Sequence, residues 1–102
     1  DLELDRNWFL VLVNSVFNDK VSIDTSLSNF LESNWSIDRM DPTLINILRC
    51  AYIEFKNYSN IPTNVVINEY TNIASSFFNQ AEVNFINGVL DKVSLKYRKK
   101  IS

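Results

Sequence analysis

Glycine and proline together supply three of the 102 residues: Pro42, Pro62 and Gly88. So few turn-making residues leave little material for the many tight loops of an all-β fold. The prolines also stand where helices start. Asp41 followed by Pro42 places a capping carboxylate before a proline at the first helical position. After it, Leu44, Ile45, Ile47, Leu48, Cys50, Ala51, Tyr52, Ile53 and Phe55 leave almost no polar face, as in the central helix of a bundle. Pro62 opens the next helix, with Val65, Val66, Ile67, Tyr70, Ile73, Ala74 and Phe77 forming its apolar side.

The rest of the chain reads the same way. Residues 4–17 are apolar over much of a helical circumference, which predicts burial on more than one side. Val21, Ile23, Leu27, Phe30 and Leu31 follow at three-to-four spacing, and a polar break surrounds Trp35. A last helix is predicted from Ala81 to about Arg98. Five helices joined by short connections make an all-α, compact helical bundle in a single domain spanning residues 1–102.

Composition narrows the chemistry. The formal charge of −2 does not suit a chain that coats nucleic acid by charge alone. There is no histidine and only one cysteine, Cys50. Histidine-based nucleophile pairs and histidine zinc sites are therefore excluded, as is an internal disulfide. A lone thiol fits a reducing cytoplasmic setting, and Cys50, inside an apolar run, reads as an inert core thiol. No carboxylate pair has a spacing that points to acid–base catalysis. No metal or cofactor is expected. No apolar run approaches the roughly 18 residues of a membrane span.

Gly88 is the feature this pattern does not require, because glycine inside a helix costs about 1 kcal/mol relative to alanine. At about 100° per residue, Ile86, Val89, Leu90, Val93 and Tyr97 fall on one core stripe. Phe85 and Lys92 lie on its flank, and Gly88 lies further round near Asn84 and Asp91. Two readings follow. Phe85 packs on another helix that Gly88 lets approach closely, or Phe85 is a platform for an unpaired base, with Gly88 and Lys92 leaving room and charge for its backbone. The basic residues Lys96, Arg98, Lys99 and Lys100 either form a solvated helix end or add to RNA attraction. Arg49, Glu54 and Glu69 interrupt apolar helices. Arg49 is expected to be tied internally to Glu54, Glu69 or Asp91, since buried charges are rarely left unpaired.

Three segments together carry a resemblance: RMDPTLINILRCAYIEF, IPTNVVINEYTNIASSF and NFINGVLDK. Ile47–Leu48–Arg49 with Tyr52 and Glu54, Ile61–Pro62, Ile67–Asn68–Glu69, and Phe85 through Asp91 follow the order and spacing of the C-terminal half of the NusB family of bacterial transcription antitermination factors. The match covers about half of the chain, and the first forty residues add no motif of their own.

The resemblance implies an all-helical, non-enzymatic protein. It implies pairing with NusE, a small-subunit ribosomal protein, and binding of boxA RNA in ribosomal RNA leader transcripts. The complex then helps RNA polymerase read through terminators. The phenylalanine of the F-[IV]-N-G motif is the family's RNA-stacking residue and maps onto Phe85, so Asn84, Phe85, Gly88 and Lys92 are the candidate RNA-binding residues. Family members begin with an arginine-rich helix and a second helix that this sequence lacks, and often carry lysine where Asn84 stands. Both differences lead us to expect weak RNA binding, and self-association or helix swapping over apolar surface on the Trp8/Phe9 helix. A NusB-like domain of a ribosomal RNA cytosine methyltransferase shares several of the motifs and is one rival reading. A protein-only interaction module, with Phe85 in the core, is another.

Overall fold

A computed structural model of the chain describes residues 11–12, 14–32 and 35–98. These form five α-helices and one 3-10 turn: α1 (residues 11–12 and 14–18), α2 (Lys20–Ser28), the turn Ile37–Arg39, α3 (Pro42–Asn57), α4 (Thr63–Ser75) and α5 (Gln80–Tyr97).

α3 is the central element, packing against α2, α4 and α5, while α4 also packs on α5. Its start follows from local chemistry. Asp41 Oδ1 accepts hydrogen bonds from the backbone N–H groups of Thr43 (2.8 Å) and Leu44 (3.3 Å), and Pro42 has no N–H to satisfy. Ten of its residues, from Leu44 to Phe55, are buried, so nearly the whole circumference is enclosed as its composition predicts. Pro62 caps α4 as expected.

Three expectations change on the outer helices. In α1, Leu12 is buried but Val11 is exposed and Phe17 is 81% exposed, so burial is one-sided; residues 4–10, with Trp8 and Phe9, lie outside the described residues. α2 ends at Ser28, and Phe30 and Leu31 reach the core from the turn after it, while Val21 points to solvent. On α4 only Val66, Tyr70 and Ala74 are buried; Val65 and Ile73 are exposed, as is Phe77 just beyond its end. The apolar pattern is wider than the surface these helices have to pack against.

The far end of α3 is closed by α5. The Arg98 guanidinium donates to the carbonyls of Phe55 (3.3 Å), Glu54 (3.3 Å), Tyr58 (2.7 Å) and Ile61, and stands 5.4 Å from the centroid of the Phe55 ring. The last carbonyls of a helix have no partner of their own, and a five-donor fork satisfies several at once. Arg98 is thus a structural clamp. Lys99 and Lys100 lie outside the described residues.

Candidate functional site

The four candidate RNA-binding residues share α5, and the structure brings all of them to the wall of one cleft. Asn84, Phe85, Gly88 and Lys92 face Phe30, Leu31, Glu32 and Trp35 from the segment after α2, around a space of about 220 Å³. At about 100° per residue their i, i+1, i+4 and i+8 spacing keeps them within about 100° of one another, on one side of the helix. The core stripe turns away from it: Ile86, Leu90 and Val93 are buried, and Val89, also buried, stands at the border and lines the cleft as well.

Phe85 is half-buried and packed against the edge of the core. Trp35 covers it, with ring centroids 4.4 Å apart and planes tilted by 34°. Trp35 is itself 46% exposed, and its N–H donates to the Glu32 carbonyl at 2.9 Å. Its only sequence signal is a lone large aromatic in a polar break, too little to mark a site residue.

Gly88 has ordinary helical geometry, not a positive φ. A Cβ built on it meets nothing within 4 Å among the described residues. Close approach of a neighbouring helix therefore does not explain the glycine here; its face opens on the cleft. Lys92 and Asn84 are exposed beside it, and the Asn84 Oδ1 accepts from Gln80 Nε2 at 2.8 Å, leaving its amide nitrogen as the donor. The cleft thus offers stacking surface, a cation and bare backbone. Among the described residues Glu32 is its one carboxylate.

The charged residues assigned to structural roles sit differently from expectation. Arg49 does not pair with Glu54, Glu69 or Asp91. It forms a bidentate pair with Asp24 of α2, Nε to Oδ1 and Nη2 to Oδ2 at 2.7 Å each, and donates to Asn46 Oδ1 at 2.9 Å. Asp24 stands next to the buried Ile23 and so is carried to the α2–α3 contact, which a carboxylate flanked by core residues could have signalled. Asp91 accepts from Asn87 at 3.2 Å on the exposed face.

Glu54 is 1% exposed, and neither carboxylate oxygen has a hydrogen-bond partner among the described residues. Burial pushes its carboxyl up to about 7, against a smaller opposing effect of the nearby Tyr70 phenol; the Glu69 charge raises it further and Arg98 lowers it. Burial also raises Glu69, and it pushes the half-buried Cys50 thiol up to about 11. Such a thiol is a poor nucleophile at neutral pH.

A larger concavity of about 560 Å³ lies between α1 and α3, lined by Val16, Phe17, Lys20, Pro42, Arg49 and Cys50. It is mostly apolar, and the guanidinium of Arg49 is already engaged by Asp24. Among the described residues no acidic, cysteine or histidine group forms a metal-holding cluster, and no helix is long and apolar enough to cross a membrane.

Comparison with known proteins agrees with the motifs. The chain is 39% identical to the transcription antitermination protein NusB of Bartonella tribocorum over 97 residues, 95% of this chain and 62% of the relative. It is 38% identical to that of Bartonella quintana over the same shares, and 35% identical to that of Brucella ovis over 95% of this chain and 57% of the relative. It therefore spans about three-fifths of the length of the curated relatives it matches. No solved structure matches it. The NusB family model matches residues 2–95, which takes in the Asp41–Pro42 start, the α3–α4–α5 core and the cleft alike; the chain belongs to the NusB family.

Proposed function

We propose that the chain acts as a transcription antitermination factor subunit that holds boxA-type single-stranded RNA at the α5 cleft, together with the NusE protein. The observation that carries this reading is the convergence of Asn84, Phe85, Gly88 and Lys92 on one open cleft. An aromatic ring, a cation and exposed backbone are the recurring equipment of single-strand recognition. The role is binding and assembly within the RNA polymerase antitermination complex, without an enzymatic step. The relatives carry the name of the stand-alone factor, which favours it over a domain of a ribosomal RNA methyltransferase.

Electrostatics supports a modest share of the affinity. The chain's net charge is −2, Arg98 is committed to backbone carbonyls, and among the described residues Lys92 is the one cation lining the cleft. Binding should therefore depend on stacking and on the protein partner more than on phosphate neutralisation. Self-association belongs to the same reading. Phe17 and Val21 are each 81% exposed, Phe17 at the rim of the 560 Å³ concavity, and a second copy covering them would bury that surface. A strictly monomeric mass at micromolar concentration counts against it.

The deciding experiment measures boxA RNA binding by the full-length product of the gene mixed with NusE, with and without Phe85→Ala. Loss of a stacked base should weaken binding by about 1–3 kcal/mol with the helical fold retained. An intact pair that ignores boxA removes the antitermination reading. Unfolding of the variant, with no separable effect on RNA, marks Phe85 as core and favours a protein-only module.

A further inference from the structure

Phe85 alone is an incomplete platform. It is packed against the core on one side and covered by Trp35 on another, at a centroid separation of 4.4 Å. That separation is at the close limit for aromatic pairs, so no base fits between the rings as they stand. What remains accessible belongs mainly to the indole, which is nearly half exposed.

The surroundings of Trp35 are not those of a scattered surface hydrophobe. Its backbone is fixed by the 2.9 Å bond to the Glu32 carbonyl, and its ring is fixed by Phe85. On the cleft side stand Lys92 and the open backbone of Gly88. Trp35 also lines a second, more open depression with Asp38 and with Asp24, whose carboxylate is already paired with Arg49. The two depressions therefore differ in charge. A phosphodiester backbone is attracted toward Lys92 and repelled from Asp38, and Glu32 on the cleft wall narrows its path further.

We propose that Trp35 presents the stacking surface for an unpaired RNA base, with Phe85 as the ring that positions it and the adjoining phosphate on the Lys92 side. This rests on the RNA-binding reading of the same cleft and adds a residue that this reading does not contain. Indole offers the largest π-face among side chains, and stacking tolerates any base.

The test uses the same full-length protein with NusE and boxA-type RNA. Trp35→Ala should weaken binding roughly 5- to 150-fold, the span of one lost stacked base, while Trp35→Phe keeps most of the affinity. The difference in emission between the unmodified protein and Trp35→Phe isolates the Trp35 indole, and it should be quenched at saturating RNA. If Phe85→Ala weakens binding but Trp35→Ala does not, and the emission is unchanged, the assignment is overturned while the RNA reading stands. If the unmodified pair binds no RNA, both fall, and that is seen before any variant is made. Should Trp35→Ala fail to fold, the emission and the Trp35→Phe affinity decide: an unquenched indole on saturated protein overturns the proposal.

Discussion

The two faces of α5 follow opposite rules. One carries Ile86, Val89, Leu90 and Val93, all buried, where each side chain is chosen for volume. The other carries Asn84, Phe85, Gly88 and Lys92 around an open cleft, where Gly88 leaves volume unfilled. A face built for stability fills its space, because interiors are close-packed and cavities are costly. A face that leaves a helical glycine in open space forgoes stability that alanine would supply. The contrast separates the face that holds this fold together from a face left open, and substitutions on the two faces should move stability in opposite directions.

The largest effect is expected on the closed face. Leu90 is fully buried, and Leu90→Ala should cost about 2–5 kcal/mol through lost transfer energy and the cavity left behind. Urea denaturation would measure it; a cost below about 1 kcal/mol would mean that the two faces are less different than their packing implies.

Next comes Glu54, a buried carboxyl inside the closed region. The folded carboxyl keeps its proton up to about pH 7, whereas the ordinary value is 4.5. The folded state then binds more protons than the unfolded state between those values, so stability falls as pH rises through the window and levels off above it. The fall should be on the order of 3 kcal/mol, and Glu54→Gln should flatten it because an amide does not titrate. Denaturation midpoints at pH 5 and pH 8 test this; an equal slope in both proteins would place the titration elsewhere, with Glu69 the nearest candidate since its carboxyl is also raised.

A smaller loss is expected at the end of the helix. Arg98→Ala removes the donors to four carbonyls around the α3 terminus. Part of that site is open to water, so about 2 kcal/mol is expected, near the value of one or two charge-assisted hydrogen bonds. Arg98→Lys should recover only part of it, since an ammonium cannot reproduce the fork. Full recovery by lysine would mean that charge near the helix C-terminus, rather than the fork, closes α3.

How much of this the sequence carries depends on whether a feature is local. The Asp41–Pro42 start, the enclosed α3 and the core stripe of α5 follow from capping and periodicity over a few residues, and they stand in the structure as read. The four cleft residues share one helix, so their common face was also legible. The Asp24–Arg49 pair, the Arg98 clamp and the Trp35–Phe85 contact join residues 25, 43 or 44, and 50 positions apart. Helical projection is blind to all three. Hydrophobic pattern also overstated burial on α1, α2 and α4, because periodicity marks the side a helix could bury and not the surface available to cover it. Val21, Ile73 and Phe77 are the residues where that difference shows.

The smallest effect bears most directly on the contrast. Gly88 lies in a regular helix, and a Cβ there meets nothing within 4 Å among the described residues. Gly88→Ala should therefore raise stability by about 0.5–1 kcal/mol, since alanine loses less backbone entropy and no neighbour has to move. For RNA the sign should reverse: a methyl group on the cleft wall takes space from a strand running between Trp35 and Lys92. A variant that gains stability and loses boxA affinity by a few fold would place Gly88 among residues kept for the ligand. A variant that gains stability with affinity unchanged would show that the strand does not need the bare backbone, leaving Trp35, Phe85 and Lys92 to hold it. Loss of stability would contradict the open space itself and put a packing partner over Gly88. Thermal denaturation and RNA titration of the same preparation distinguish the three.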